Sequence, residues 1–372
     1  MRNRAIILAV ALIAGLACAL PILAAADTGA ALDYLRTQQN ADGGFGSGFS
    51  PDSTVGSTAD TVLAIVAVGG DATRFDQGGN TPLTYLVANA ASAASGGDLA
   101  KLILAAIAVG QNPREFGGVD SVARLEGMIS ADGKAGPKGK IGTETDTFVG
   151  HSLAVLALKS AQRPIPAAVV EYTKAAQQEG GAWAWDGSAG TPGDTNTTAF
   201  AVQALIAGGE APGGEAVTQA LAYYQGIHND DGGWPYQNPS DYGTATDANS
   251  TAVTVQAIIA AGQDPAGADW TTVEGKTPLS ALEALQNESG AFAWQAAVPD
   301  DNLLATVQAL PAVANQAFPL ATMDVGAAVT TAVTTAPTTM PQTGGAGLNL
   351  AVVAILGGLV LAVGGYALSR KK

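Results

Sequence analysis

The hydrophobic positions of this chain form a pattern that repeats over a long period. Short amphipathic stretches are followed by Gly-rich aromatic turns and then by Ala-rich stretches that are apolar nearly all round. The unit returns every ~40–55 residues, a period typical of repeat proteins in which each unit buries its apolar face against its neighbours. Sustained strand-like alternation is lacking. The pattern therefore predicts stacked helical pairs, with amphipathic helices outside and apolar helices inside.

Six such pairs fit between Asp27 and Leu320. The outer helices are predicted to begin near Ala30, Pro82, Val119, Ala167, Val217 and Pro278. The inner helices are predicted to cover about Ser57–Val68, Asp98–Val109, Asp146–Ser160, Asn196–Ala207, Asn249–Ala261 and Asn302–Ala314. Six pairs close most compactly into a ring, so we predict an all-α fold, an α6/α6 toroid over residues 27–320, with an open solenoid as the alternative.

The aromatic turns share one motif, in which a Gln is followed by a Gly and then by an aromatic residue. Its copies are Gln39/Gly43/Phe45, Gln177/Gly181/Trp183 and Gln286/Gly290/Phe292, with His228/Gly232/Trp234 differing at the first position. An amide can satisfy free carbonyls at a helix end, Gly permits positive φ, and a buried ring fixes the loop. We therefore expect structural roles for these residues.

The spacing Gln-x-x-x-Gly-x-aromatic resembles the QW motif of the squalene–hopene cyclase and prenyltransferase superfamily, and the resemblance implies an α/α toroid. The run PLTYLVANAASAASGGDLAKLILAAIAVGQNPREFGGVD, with KTPLSALEAL and DNLLATVQALP, is similar to secreted bacterial toroids related to the transcobalamin and intrinsic-factor group. That likeness implies a corrinoid or another small ligand. In those carriers cobalamin lies between the toroid and a small β domain, whereas this chain passes from Leu320 into a Thr-rich stretch.

The residues behind several activities of that superfamily are missing from the sequence. The Asp-x-Asp-Asp motif with which class II terpene cyclases protonate their substrates is not found. The one cysteine, Cys18, lies in the N-terminal apolar run, and the histidines are His151 and His228. A prenyltransferase-type zinc site, a thioester and a Ser-His-Asp triad are therefore not expected. We assign no catalytic residue, metal or cofactor from the sequence.

Polar residues gather at the predicted starts of the inner helices, where Asp and Asn commonly act as N-caps. In a toroid these starts meet at one mouth, and the second aromatic residue of three turns has no role in the motif. We predict a ligand site at the mouth formed by Trp185, Tyr236, Trp294, Asp194, Asn196, Asp247, Asn249, Asp300, Asp301 and Asn302. Carboxylates, amides and aromatic platforms suit a small organic ligand, a glycan or a peptide.

The missing catalytic motifs favour a non-catalytic binding or adhesion module. Two alternatives stay open. The first is an enzyme that uses carboxylates at the inner-helix starts, either a polysaccharide lyase or hydrolase or a terpenoid-cyclase-like enzyme. The second is a corrinoid-binding protein that lacks the usual second domain.

The N-terminus and the charge balance indicate export. Residues 1–26 have a basic start, an apolar run and small residues before Asp27, as secretory signal peptides do. The chain has 17 Lys and Arg against 32 Asp and Glu, a net charge of −15. An acidic chain of this kind disfavours a nucleic-acid partner.

The C-terminus indicates attachment to the cell surface. It contains in order a Thr/Ala-rich stalk, a motif MPQTG that resembles the sortase signal Leu-Pro-x-Thr-Gly, an apolar run of membrane-spanning length and a basic tail, at 321–339, 340–344, 348–368 and 369–372. The resemblance implies cleavage by sortase between Thr343 and Gly344. We expect a protein on the extracellular face of a bacterial cell, linked to the wall or held by a single C-terminal membrane helix.

Overall fold

Twelve α-helices alternate between an outer and an inner layer in the computed structural model, which describes residues 25–133, 136–241 and 243–326. The outer helices are α1 (Thr28–Gln38), α3 (Pro82–Asn89), α5 (Ser121–Glu126), α7 (Ala167–Ala175), α9 (Glu215–Gly226) and α11 (Pro278–Glu283). The inner helices are α2 (Val55–Ala67), α4 (Gly96–Ala108), α6 (Phe148–Ser160), α8 (Thr195–Ala207), α10 (Ala248–Ala260) and α12 (Leu303–Val313). The predicted all-α toroid of six hairpins is confirmed.

The ring closes. Each inner helix contacts the next one along the chain, and α12 contacts α2. Hydrogen bonds join the last turn to the first helix, because Gln286 Oε1 accepts from the Asp27 amide at 2.7 Å and Gln286 Nε2 donates to the Asp27 carbonyl at 2.9 Å. The open solenoid is thereby excluded.

The inner helices begin where a short polar side chain accepts a backbone N–H of the first turn, as N-caps do. The caps are Thr54, Ser95, Thr147, Asp194, Asp247 and Asn302. Three of them, Thr54, Ser95 and Thr147, are not acids. Asp60 lies inside α2 and Asp98 in the first turn of α4, while Asp146 precedes α6 and accepts the amides of Gly96 and Gly97 at the start of the neighbouring α4.

The repeated motif joins each turn to the next outer helix, as its expected structural role requires. Gln177 Nε2 donates to the carbonyls of Gly181 at 2.9 Å and Ala216 at 2.8 Å. Trp183 is fully buried, and its indole N–H donates to the Thr173 carbonyl at 2.7 Å. The Gly has positive φ in all four copies, and a Cβ there would collide with the carbonyl of Thr81, Gln219, Thr277 or Ala30.

A threonine of the inner helix completes each turn. Its hydroxyl accepts the backbone N–H of the motif's aromatic residue at 2.9–3.0 Å. The four pairs are Phe45 with Thr58, Trp183 with Thr198, Trp234 with Thr251, and Phe292 with Thr306. The motif therefore connects three elements: the turn, the next outer helix and its own inner helix.

One element departs from the all-helical pattern. Strands β1 (Phe292–Gln295) and β2 (Val298–Asn302) form an antiparallel hairpin before α12, with Phe292 opposite Asn302 and Ala293 opposite Asp301. The hairpin gives the last motif's aromatic residue an extended backbone. Asn302, predicted to start the inner helix, ends β2 and caps α12 instead.

The chain beyond α12 crosses the C-terminal ends of the inner helices. The Phe318 amide donates to Gln203 Oε1 at 3.0 Å, and Ser160 exchanges hydrogen bonds with Ala321 and Met323. Contacts with the toroid thus continue past the predicted boundary at Leu320, to the Gly326 carbonyl.

Residues 1–24 and 327–372 lie outside the described residues, and with them most of the predicted signal peptide and stalk, the MPQTG motif, the apolar run and the tail. Within the described ranges, no helix combines the length and the apolar character that a membrane span requires.

Candidate functional site

A cavity of about 350 Å³ opens at the end of the ring where inner helices begin. Its wall comes from the first turns of α8, α10 and α12, from the hairpin and from the loop before α2. Six of the predicted site residues line it: Asn196, Tyr236, Asp247, Asn249, Trp294 and Asn302. The volume falls within the range of small-molecule sites.

The other four predicted residues lie outside the cavity lining. Asp194 is buried behind Tyr236, whose hydroxyl donates to it. Trp185 is 52% exposed and follows the turn that crosses the start of α6. Asp300 and Asp301 lie exposed on β2, because the chain there forms a strand and not the start of a helix.

The Asp301 carboxylate is hydrogen-bonded by two side chains of the preceding turn. Its Oδ1 accepts from Asn287 Nδ2 at 2.8 Å and from Ser289 Oγ at 2.7 Å, which fixes the hairpin to the preceding turn. Asp301 is therefore held on the hairpin, outside the lining of the mouth cavity.

Sequence reasoning missed five lining residues: Gly48, Phe49, Ser250, Leu304 and Gln308. Phe49 is 90% exposed at the rim. It is the second aromatic residue of the first turn, but it follows Phe45 by four positions, whereas the other copies have a spacing of two. A search that allowed a variable spacing would have found it.

Asp247 is the acid of the cavity. Its carboxyl is almost completely buried, and it accepts from the Ser250 amide at 2.7 Å and from Ser250 Oγ at 3.0 Å. Burial raises the pKa of Asp247 to about 6, which outweighs the lowering effect of these hydrogen bonds. A carboxyl with that pKa is protonated about one time in ten at pH 7, far more often than an exposed aspartic acid.

Asp194 is built in the same way on the neighbouring inner helix. It accepts from the Thr197 amide at 2.7 Å and from Thr197 Oγ1 at 2.8 Å, and burial raises its pKa to about 6. Burial, followed by the nearby Asp194 charge, raises the pKa of Tyr236, so its phenol stays protonated and donates.

Amide groups complete the mouth. Asn249 Nδ2 donates to Gln308 Oε1 at 2.8 Å, which links α10 to α12. Asn196 Oδ1 lies buried in the wall without a hydrogen-bond partner. It is therefore free to accept from a bound molecule.

A second cavity of about 90 Å³, the lumen, lies among the middles of the inner helices. Its lining is mostly apolar, from Leu63 and Val149 to Pro311 and Phe318, and it shares Gln308 with the mouth cavity. Its polar residues are Asp60, Lys101, Gln256 and Gln308.

Lys101 and Asp60 form an ion pair in the lumen, with Nζ and Oδ2 2.6 Å apart. Burial works to lower the pKa of Lys101, but the Asp60 carboxylate and its hydrogen bond outweigh burial and leave that pKa raised. The lysine is therefore a stable ammonium.

The two histidines have structural positions. His151 Nδ1 accepts the Ile141 amide at 3.1 Å, and burial lowers its pKa to about 3. His228 donates to the Gly232 carbonyl at 2.9 Å and stacks on Trp234 with ring centroids 4.4 Å apart. Among the described residues, no group of His, Cys, Asp and Glu is arranged to hold a metal ion.

The family model of the prenyltransferase alpha-alpha toroid domain matches residues 3–96 and 145–305. The chain belongs to this family.

Solved structures with this fold include the type II terpene cyclase MstE from Scytonema. The apo enzyme matches with a TM-score of 0.54 and 13% identity, over 77% of this chain and 96% of the cyclase. MstE variants match equally in complex with the substrate geranylgeranyl dihydroxybenzoate and, at 12% identity, with the product merosterolic acid A. At such identities the likeness shows the fold.

Haptocorrin in complex with Cbi also matches, with a TM-score of 0.46 and 17% identity over 78% of this chain and 66% of haptocorrin. Agreement at that level carries no argument about a corrinoid ligand. No curated protein sequence matches the chain.

These comparisons correct the expectation of a non-catalytic binding or adhesion module. The solved toroids that match this one include a terpene cyclase seen with its substrate and with its product, and these matches favour the cyclase-like alternative. The expectation rested on missing sequence motifs, and a motif search does not detect a carboxyl whose pKa is raised by the fold.

Proposed function

We propose that this protein is a terpenoid-cyclase-like enzyme that protonates an alkene of an isoprenoid-type substrate at the mouth of the toroid, with Asp247 as the proton donor. The observation that carries the proposal is the Asp247 carboxyl, whose pKa is raised to about 6 on the wall of a cavity that also contains aromatic rings. The matching terpene cyclases support the choice of substrate class.

The surroundings of Asp247 suit proton donation. A general acid works best when its pKa lies near the working pH. After the proton leaves, the carboxylate is stabilised by the Ser250 amide and hydroxyl and by the positive end of the α10 dipole. The same contacts hold the carboxyl in one orientation.

The aromatic residues of the mouth suit the cation that protonation creates. The alkene's π electrons form a C–H bond while the Asp247 O–H bond breaks, which leaves a carbocation on the substrate. Tyr236, Trp294 and Phe49 present rings to the cavity, and ring faces attract cations. A second alkene of the substrate closes the ring, and loss of a proton to the Asp247 carboxylate completes an isomerisation.

We also propose that the enzyme acts on the outer surface of a bacterial cell. The signal-like residues 1–26 and the C-terminal segment 340–372 support this location. The mass of the mature cell-associated protein tests it: a chain that ends at Thr343 requires sortase, an intact C-terminus indicates a membrane anchor, and a chain that keeps residues 1–26 in the cytoplasm would contradict the location.

Turnover by the full chain tests the catalytic proposal. The protein is incubated in D₂O with farnesol, geranylgeraniol and geranylgeranyl dihydroxybenzoate, and products are analysed by gas or liquid chromatography with mass spectrometry. A cyclic isomer carrying deuterium at the protonated carbon is expected. Asp247→Asn should lower the rate about 10²–10⁴-fold, the usual contribution of a general acid.

Asp194→Asn is the matched control. Asp194 caps α8 in the same way and has the same raised pKa, but it does not line the cavity, and an Asn oxygen there can still accept from the Tyr236 hydroxyl. Its replacement should leave most of the turnover. Equal losses in the two variants, or no product from any substrate with the wild-type protein, would reject Asp247 as the acid.

A further inference from the structure

One polar atom of the lumen has no hydrogen-bond partner. Gln256 Oε1 is buried, and the residue, which is 1% exposed, lines this cavity. Gln203 and Gln308 occupy the equivalent Val-Gln-Ala position on the neighbouring inner helices, and their Oε1 atoms accept from the Phe318 amide and from Asn249. A buried acceptor without a partner is costly, so a donor is expected to occupy the space beside Gln256.

Lys101 supplies the complementary group. An ammonium has three N–H donors, and the bond to Asp60 uses one of them. A group that lies in the lumen between Gln256 and Lys101 must therefore both donate and accept. A hydroxyl does both, whereas an alkyl end does neither.

A diphosphate does not suit the lumen. Asp60 lies directly against Lys101 and offsets its charge. The lumen is small and otherwise apolar, and the charged residue of the mouth above it is the acid Asp247. Multiple negative charges would be desolvated there without matching cations.

The mouth cavity and the lumen share one lining residue and follow one another along α10. Gln308 lines both, and nine positions separate Asp247 from Gln256, or about 14 Å at 1.5 Å per helical residue. At roughly 30 Å³ per carbon-sized group, the mouth holds about a dozen such groups and the lumen about three. That is the size of a chain of three isoprene units.

We infer that the substrate is an uncharged prenyl alcohol of about three isoprene units, whose hydroxyl binds between Gln256 and Lys101 while its far alkene lies at Asp247. The inference rests on the proposed function for the isoprenoid nature of the chain. It adds the head group, the chain length and the direction in which the molecule enters the ring.

Binding to the full chain tests the inference without relying on turnover. The intrinsic tryptophan fluorescence, to which Trp294 at the mouth contributes, and thermal stabilisation are followed with three probes. The probes are farnesol, farnesene, which has the same carbon skeleton without the hydroxyl, and farnesyl diphosphate. Farnesol should bind about tenfold more tightly than farnesene, as one good hydrogen bond allows, and farnesyl diphosphate should bind more weakly than farnesol.

Gln256→Leu should reduce farnesol affinity to that of farnesene and leave farnesene unchanged. The variant removes an unpartnered polar atom, so it should fold at least as well as the wild type. Gln219→Leu, on the outer helix α9 and outside the lumen lining, should keep the preference for farnesol. Lys101→Gln should also weaken the binding of farnesol relative to farnesene, since it weakens the donor that faces the alcohol oxygen.

Equal affinities for farnesol and farnesene in the wild-type protein would mean that Gln256 holds water alone and would overturn the inference, as would the absence of binding by any probe. Turnover without a preference for the alcohol would reject the inference and keep the proposed function. Selective binding of farnesol without turnover would support the inference and reject the proposed function.

Discussion

Replacing Asp247 or Asp194 with Asn is expected to stabilise the protein near neutral pH and to have little effect near pH 4. In the folded protein burial raises both pKa values from 3.8 to about 6. A shift of about two units corresponds to about 3 kcal/mol of unfolding free energy for each residue. Asn reproduces the neutral carboxyl in shape and can still accept the N-terminal amide of its helix.

The sign of the stability change depends on which state, folded or unfolded, releases its carboxyl proton at the lower pH. Below about pH 4 the carboxyls are protonated in both the folded and the unfolded chain, and the folded state has its full stability from these groups. Between about pH 4 and pH 6 the unfolded chain ionises while the folded chain does not, so the unfolding free energy falls. Above pH 6 the loss is complete, and an Asn variant avoids it.

Urea denaturation of the full chain and of each Asn variant at pH 4.5, 5.5 and 7 measures the effect. The gain in unfolding free energy of variant over wild type should grow across this series toward about 3 kcal/mol. Asp27→Asn controls for loss of a capping carboxylate at an exposed helix start. A difference between variant and wild type that stays constant with pH would refute the raised pKa values, and with them the acid in the proposed reaction.

Three further predictions concern the ring and the lumen. Gln286→Leu, which removes the hydrogen bonds that close the ring, should cost about 2 kcal/mol in urea denaturation, and an unchanged midpoint would show that the closure is not stabilising. Gly290→Ala should lower the melting temperature more than Gly275→Ala. Both glycines have positive φ, but only at position 290 would a Cβ meet a neighbouring carbonyl, and equal shifts in melting temperature would contradict this. Lys101→Met should lower the unfolding free energy by about 3 kcal/mol, because it leaves Asp60 unpaired. The double variant with Asp60→Leu should recover most of that loss, and equal losses in the single and the double variant would exclude coupling between the two residues.

The fold was predictable because its signals are local. Pro82, Ala167 and Pro278 were predicted as helix starts and begin α3, α7 and α11. Two of them are prolines in the first helical turn, which follow a Thr that caps the helix. The turn motif repeats in phase with these starts, so the sequence encodes the same contact between a turn and the next outer helix several times.

The cavity was less predictable because its shape depends on where the ring places each turn. Trp185, Tyr236 and Trp294 have the same offset from the motif, yet Trp185 lies over α6 while the other two face the mouth. A sequence offset gives the position of a residue in its repeat. It does not say which repeats border the cavity.

The acidic residue of the site was hard to predict for a related reason. Asp247 and Asp300 are both acids before an inner helix, but the first is enclosed by Trp234, Tyr236 and the α10 start, while the second lies exposed on a strand. Burial is a property of the assembled ring, so the pKa that distinguishes the two carboxyls cannot be deduced from the residues beside them.

A helix N-terminus by itself is a poor location for a proton donor, because its dipole and free amides favour the carboxylate. At Asp247 burial opposes that preference and prevails, which raises the pKa of the carboxyl to about 6. Once the proton has moved to an alkene, the Ser250 amide and hydroxyl are already in place to stabilise the anion. The two opposing effects set the pKa between the extremes that either would produce alone, which is the condition for general-acid catalysis. One buried cap can therefore supply the acid, and the proposed reaction does not depend on an Asp-x-Asp-Asp motif.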